Sequence, residues 1–233
     1  LLVESGIVKK ELSGIKILNK DDIIKTTQEL VNIKSVEGVE RKGMPFGEGP
    51  YKALEYALNL SKEMGFETAN LDGYAGHAEF GEGEETVGIL VHLDVVPEGE
   101  GWTYPPYEGE IHDDKIYGRG TTDDKGPAVA ALYAMKALKE SNVQLNKKIR
   151  IIFGTNEETG WGCMKYYFKN EKAPNMAFTP DADFPVIHGE KGIIAFDLVK
   201  KIENTSSGDI KIKSIKGGNA VNMVPDSCEA VLD

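Results

Sequence analysis

The chain has 233 residues, of which 40% are hydrophobic and 28% are charged, and its formal net charge is −11. This composition is ordinary for a soluble globular protein, and the acidic balance argues against a nucleic-acid-binding surface, which needs clustered basic residues. The sequence contains no apolar run of about 18 residues, so no transmembrane helix is expected.

The two cysteines, Cys163 and Cys228, are too few for a disulfide framework and do not form a CxxC pair. We predict two reduced, buried thiols, as is usual in a cytosolic protein. The first six residues are too short and too acidic for a signal peptide, so a cytoplasmic location is expected. Because the chain lacks an initiator methionine, it is expected to be a fragment.

In the first half of the chain, apolar residues at helical spacing predict two helices, over 21–34 and from Pro50 to Met64. Four strands are then predicted, and the near-continuous apolar run of the third indicates burial on both faces. These strands are Phe66–Leu71, Ala75–Phe80, Thr86–Leu93 and Lys115–Tyr117.

In the second half, helices and strands alternate over Pro127–Lys139, Lys148–Gly154, Trp161–Phe168 and Met176–Thr179. This alternation predicts an α/β fold with a largely parallel sheet flanked by helices. From residue 189 onward only strands are predicted, namely Ile193–Lys200, Ile210–Lys213 and Cys228–Leu232. We therefore predict a first domain over 1–188 and the beginning of a second, α+β domain over 189–233.

Acidic residues and one histidine follow the predicted buried strands, at the edge where open α/β sheets place their ligands. His92 and Asp94 end the first of these strands and point the same way in an extended segment. The sequence GRGTTDDKGP places Asp123 and Asp124 before the Ala-rich helix. Taken alone, the first pair is explained by chance, whereas helix capping explains one residue of the second pair but not both.

Two more such clusters follow later strands. Glu157 and Glu158 stand in TNEETG after Lys148–Gly154, and Asp181 stands in TPDADFP. Taken alone, a pair of glutamates is usually a solvated surface feature. Together, the four clusters contain the kinds of ligand found in a two-metal hydrolytic site. Their mixed nitrogen and oxygen donors suit Zn²⁺, with Mn²⁺ or Co²⁺ as alternatives.

The segments VHLDVVPEGEGW, GRGTTDDKGP, GTNEETGWGC and PDADFPVIHGEKG resemble the di-zinc exopeptidases. This family includes aminoacylases, glutamate carboxypeptidases, succinyl-diaminopimelate desuccinylases and carnosinase-type dipeptidases. The sequences of these segments are most similar to the PepV-like (carnosinase-type, Xaa-His) bacterial dipeptidases. The motifs occur in the same order as in that family over roughly residues 20–233.

The resemblance implies a role for each ligand position. It implies that His92 and Asp181 bind one metal ion, that Glu158 binds the second, and that Asp123 bridges the two. It also implies a cis peptide bond between Asp123 and its neighbour Asp124.

For the reaction, the resemblance implies that Asp94 orients His92 and that Glu157 is the general base. In this mechanism Glu157 takes a proton from a water shared by two Zn²⁺ ions and passes it to the leaving amine. The metal ions and hydrogen-bond donors stabilise the oxyanion. The expected substrates are dipeptides and short peptides, without a nucleic-acid or membrane partner. Asn222 is a candidate for substrate contact or, equally, a strand-turn asparagine.

The family completes its second metal site with a distal histidine, and none of the histidines here falls on that position. His77 and His112 are predicted to be surface residues in a hairpin and a loop, and His188 precedes a turn. We therefore expect the remaining lid and the C-terminal part of the catalytic domain to lie outside this chain. Two alternatives stay open: an N-acyl-amino-acid amidohydrolase of the same family, and a truncated metal-binding fragment without activity.

Overall fold

A computed structural model describes residues 20–183, 186–192, 194, 199, 212–218, 224–225 and 227–233. The chain divides into two compact units, Leu1–Asp183 and Phe184–Asp233. The division falls a few residues before the predicted domain boundary. The interpretation of the second unit as the start of a lid domain stays a prediction.

The first unit contains four helices and seven strands among its described residues. The helices are α1 (Lys20–Val31), α2 (Glu48–Glu63), α3 (Lys125–Glu140) and α4 (Gly162–Asn170). The strands are β1 (Glu67–Leu71), β2 (Ala75–Phe80), β3 (Thr86–His92), β4 (Glu110–His112), β5 (Lys115–Tyr117), β6 (Lys148–Gly154) and β7 (Met176–Phe178). No helix in these described ranges is long and apolar enough to cross a membrane.

Five strands form a mixed sheet in the order β1-β2-β6-β3-β7. Strand β3 runs parallel to both of its neighbours, β6 and β7, whereas β1, β2 and β6 pair antiparallel. Helices flank both sides of this sheet, which confirms the predicted α/β class with parallel strands flanked by helices.

The sequence period of two in the central strands explains this layering. Ile149, Ile151 and Phe153 of β6 belong to the core cluster that also contains residues of α1, α2 and α3. Ile152, between them, packs with Tyr167 and other residues of α4 in a second cluster. Because both faces of β6 are covered, its sequence is continuously apolar from Ile151 to Phe153.

The described part of the second unit forms one antiparallel pair, β8 (Ile212–Gly217) with β9 (Cys228–Leu232). The strand predicted over Ile193–Lys200 falls largely outside the described residues, and Asn222 lies outside them as well.

Three predictions about individual residues were wrong. His77 is only 8% exposed, because β2 lies between two strands and α4 packs on it. His112 belongs to β4 of a small hairpin, where its ring stacks on Tyr104 at a centroid distance of 3.7 Å. Cys163 is buried as predicted, but Cys228 is exposed on the two-stranded sheet.

Candidate metal centre

The parallel pairing of β3 with β6 and β7 brings three loops to one edge of the sheet. His92, the last residue of β3, is in register with Gly154, the last residue of β6. The loops that follow these strands and β7 therefore start close together, as is typical of ligand sites in open α/β sheets. The turn before α3 supplies a fourth segment, which contains Asp123.

Three side chains form the tightest group at this edge. The Nε2 atom of His92 lies 2.8 Å from Oδ1 of Asp123 and 3.4 Å from Oδ2 of Asp181. One nitrogen and two carboxylate oxygens of these residues all lie within 4.8 Å of one another. His92 is 3% exposed, so its ring is held within the fold while both carboxylates face it.

The two glutamates lie next to this group. The Oε2 atom of Glu157 is 3.9 Å from Nε2 of His92, beyond hydrogen-bond distance. Glu158 is not a member of the group of three, but the charge of Asp123 contributes to its raised pKa. The structure therefore gathers the predicted residues at one edge, with His92, Asp123 and Asp181 in closest contact.

Asp94 connects the imidazole to the turn that carries both glutamates. Its main-chain oxygen lies 3.0 Å from Nδ1 of His92, and its carboxylate oxygen Oδ1 is farther from that nitrogen, at 3.6 Å. The carboxylate instead accepts the backbone amides of Glu157 and Glu158, each at 3.1 Å. Asp94 thus contacts His92 mainly through its backbone, whereas its carboxylate holds the Glu157–Glu158 turn.

Burial and the crowding of carboxylates shift the pKa values of the site. Burial opposes a charged imidazole, but hydrogen bonds to Asp123 and Asp181 outweigh it and raise the pKa of His92. The bond to His92 lowers the pKa of Asp123. Burial, with added repulsion from neighbouring carboxylates, raises the pKa of Glu157 and raises that of Glu158 to about 7.

These shifts fit a site for divalent cations. Several carboxylates surround one imidazole, so negative charge is in excess and some carboxyl groups hold their protons more tightly than usual. A bound cation would offset this excess and favour the ionised form of each carboxylate. The donor set of one imidazole and several carboxylates suits Zn²⁺ or a similar transition-metal ion.

Asp124 is a site residue whose role the sequence did not reveal. Helix capping was the simple explanation for an acid before α3, yet its side chain makes no cap hydrogen bond. Its Oδ2 atom accepts the backbone amide of His92 at 3.1 Å instead, and the Asp123–Asp124 peptide bond is cis. Oδ1 is buried without a partner among the described residues, and burial raises the pKa of Asp124 to about 8.

Lys125 and Asn156 also shape the site without having been predicted. Lys125 is fully buried and donates from Nζ to the main-chain oxygen of Ile33 at 2.6 Å. Asn156 closes the glutamate loop, because its Oδ1 atom accepts the amide of Gly162 at 2.9 Å. The only sequence signal for either residue is a polar side chain next to a predicted ligand.

Comparison with known proteins identifies relatives of the chain. The sequence profile of peptidase family M20/M25/M40 matches residues 88–227. The chain is 48% identical over 220 residues to a Bacillus subtilis (strain 168) protein named "Putative dipeptidase YtjP", covering 93% of this chain and 48% of that protein. It is 46% identical over 215 residues to "Putative dipeptidase SAB1611c" of Staphylococcus aureus (strain bovine RF122 / ET3-1), covering 91% of this chain and 46% of that protein. The chain thus spans about half the length of these curated relatives.

Solved structures share the fold of the chain. Human carnosine dipeptidase 1 superposes with a TM-score of 0.55 at 29% identity, over 62% of this chain and 34% of that one. The M20 family metallo-carboxypeptidase Sso-CP2 from Sulfolobus solfataricus gives a TM-score of 0.59 at 23% identity, over 71% of this chain and 38% of that one. At its lower identity, the second likeness supports the fold alone.

Proposed function

The chain belongs to peptidase family M20/M25/M40, and from this premise we propose that the full-length protein hydrolyses dipeptides and other short peptides at a metal centre. The observation that carries the proposal is the group of His92, Asp123 and Asp181, whose donor atoms lie within 4.8 Å of one another at the sheet edge. The relatives named as dipeptidases support the choice of substrate class.

In this proposal His92 and Asp181 would hold one divalent cation, Glu158 would hold a second, and Asp123 would serve both. A histidine from outside this chain would complete the second position. Zn²⁺ fits these donors best, with Mn²⁺ or Co²⁺ as alternatives. When bound, such ions supply a Lewis acid for the peptide carbonyl and lower the pKa of water at the site.

Glu157 is the proposed general base. It takes a proton from water while the water oxygen bonds to the peptide carbonyl carbon. It then gives the proton to the amine nitrogen as the carbon–nitrogen bond breaks, leaving an amine and a carboxylic acid, which releases its own proton to become a carboxylate. Its half-buried carboxylate supports this role because it lies beside the proposed ligands without a hydrogen bond to His92.

Asp94 has a positioning role in the proposal. Its carboxylate fixes the amides of Glu157 and Glu158, and its backbone carbonyl faces His92. A partner of this kind sets the tautomer and direction of a metal-binding imidazole and preserves the spacing between base and ligands.

The proposed base is tested with Glu157→Gln in the full-length protein. The amide keeps the shape of the side chain but cannot accept the proton, so kcat for dipeptide hydrolysis is expected to fall by roughly 10²- to 10⁴-fold. Glu171→Gln, at a half-buried glutamate that follows α4 and lies near Arg150, is the matched control and should leave kcat unchanged. Equal kcat values for Glu157→Gln and the unsubstituted protein would refute the assignment.

The substrate class is tested by comparing dipeptides with N-acyl-amino acids on the same preparation. A higher kcat/KM for dipeptides supports the proposal, and a higher value for acyl-amino acids supports the amidohydrolase alternative. Metal binding without hydrolysis of either class would favour a metal-binding protein without activity.

A further inference from the structure

A short segment ahead of the family match runs past the loops that carry the site. This 33–37 segment follows α1 and lies well before residue 88, where the profile match begins. The start of α2 packs against it, since a Cβ atom at Gly49 would lie 2.3 Å from the main-chain oxygen of Lys34. The segment is therefore held firmly from one side while its other groups reach the site loops.

Ser35 is the buried centre of the segment, with 0% exposure. Its Oγ atom donates to the main-chain oxygen of Leu93 at 2.5 Å, and its own carbonyl accepts the amide of Val95 at 3.2 Å. These two bonds hold the backbone on both sides of Asp94. The residue that contacts His92 and the glutamate turn is thus fixed through Ser35.

The ends of the segment reach two further site loops. The carbonyl of Ile33 accepts the buried Nζ atom of Lys125, which directly follows the Asp123–Asp124 pair. The hydroxyl of Thr159, in the glutamate loop, donates a hydrogen bond to the carboxylate of Glu37. The same hydroxyl accepts a hydrogen bond from Nδ2 of Asn156 at 2.5 Å. One continuous segment therefore touches the loops that carry Asp94, Asp123 and Glu157.

We propose that the 33–37 segment sets the spacing of the metal ligands and the base, and that Ser35 is a positioning residue acting through Asp94. The inference rests on the proposed function. Loss of the hydroxyl removes the donor to the carbonyl of Leu93 and leaves the backbone around Asp94 with one of its two bonds to Ser35. The amides of Glu157 and Glu158 then lose a fixed acceptor, which displaces the base from its place beside the ligands.

The test is Ser35→Ala in the full-length, metal-loaded protein. Loss of a direct partner of a metal ligand typically lowers activity roughly 10- to 100-fold. Because Ser35 acts one step farther away, through Asp94, we expect kcat to fall by roughly 10-fold while KM changes little. Ser61→Ala is the matched control, since Ser61 is equally buried and donates to the carbonyl of Ala57 at 2.6 Å within α2. A similar kcat for the two variants would overturn the proposal.

Amide hydrogen exchange supplies a readout that does not depend on activity. In Ser35→Ala, exchange at residues 155–160 should accelerate while exchange in β6 stays slow, and Ser61→Ala should leave the 155–160 rate unchanged. Unchanged exchange in both variants would overturn the positioning role. This measurement separates the positioning role of Ser35 from the proposed function. If exchange accelerates in Ser35→Ala but the unsubstituted protein cleaves no peptide, only the proposed function is refuted.

A double-mutant cycle tests whether Ser35 acts through Asp94. In a protein that already carries Asp94→Asn, adding Ser35→Ala should lower kcat only a little further, because Asp94, through which Ser35 acts, is already altered. If the losses of kcat in the two single variants simply add in the double variant, Ser35 does not act through Asp94.

If Ser35→Ala does not fold, Glu37→Ala replaces it in the exchange experiment. Glu40→Ala is then the control, because Glu37 and Glu40 are both exposed. Glu37→Ala should then accelerate exchange at 155–160, and identical behaviour of these two variants would overturn the proposal.

Discussion

Asp94 uses three oxygen atoms for three different partners. Its two carboxylate oxygens each accept a backbone amide of the glutamate turn, and its carbonyl faces Nδ1 of His92. An asparagine at this position has only one side-chain oxygen, and its amino group would face a second N–H donor. The exact chemistry of the carboxylate therefore matters more than its size.

Asp94→Asn is expected to weaken Zn²⁺ binding by roughly 10- to 100-fold, because the glutamate turn and His92 lose their common support. Calorimetry on the metal-stripped full-length protein measures this affinity. Asp72→Asn makes the same change at an exposed carboxylate that accepts from Tyr166, and it should have no effect. Equal affinities for the two variants would contradict the role given to Asp94.

Sequence reasoning at this scale predicts ligand types but not all of their supports. His92 and Asp181 lie at the ends of two neighbouring parallel strands, so their convergence can be predicted from topology, whereas Asp123 lies in the turn before α3. The bonds of Asp124 and Ser35 run from a side chain to a distant backbone atom. Such partners depend on the path of the folded chain, and the sequence has no periodic signal for them.

At the scale of elements, the short strand β7 determines where Asp181 lies. Strand β7 has three residues and pairs with β3 over Val87–Ile89. Gly88 lies in the middle of this pairing, and a Cβ atom there would be 2.6 Å from Cγ of Pro174, just before β7. Only glycine allows β3 and the chain leading to β7 to approach this closely.

Gly88→Ala is expected to lower the free energy of unfolding by about 1–3 kcal/mol, because the added methyl group forces the chain at Pro174 away from β3. Urea denaturation measures the change. Zn²⁺ affinity should fall in the same variant, since Asp181 follows β7. Gly189→Ala is the control, as no atom lies within 4 Å of its Cβ position. An unchanged unfolding midpoint in Gly88→Ala would contradict the close approach.

The elements themselves follow the sequence closely, whereas their order in the sheet does not. Strands β3 and β6 could be predicted as buried from their apolar runs. The insertion of β2 antiparallel beside β6 joins residues far apart in the chain, and no local pattern specifies that pairing. The burial of His77 follows from this insertion, which explains why a surface position is the wrong prediction for it.

At the scale of the whole molecule, the net charge of −11 and the clustered carboxylates favour binding of cations. Without a cation, the site holds protons instead. Burial raises the pKa of Glu158 to about 7, and hydrogen bonds to carboxylates outweigh burial to raise the pKa of His92. Metal ions and protons therefore compete for the same atoms.

Metal binding at slightly acidic pH is expected to release protons, because ligands bind in their deprotonated forms. Apparent Zn²⁺ affinity should accordingly rise with pH through about 7, the pKa of Glu158, and should keep rising above it because the pKa of His92 is also raised. Calorimetry in buffers with different ionisation enthalpies counts the protons. The Glu158→Gln variant should release fewer protons when it binds Zn²⁺. A binding heat that does not depend on the buffer would contradict the competition between protons and metal ions.

The position of the tight group along the chain bears on how the protein is made. His92, Asp123 and Asp181 all belong to the unit that ends at Asp183. Domains generally fold as units during synthesis, with the N-terminal one first. These three proposed ligands can thus come together while the ribosome is still translating later codons, so a cation that they bind is expected to reach the nascent polypeptide before its release.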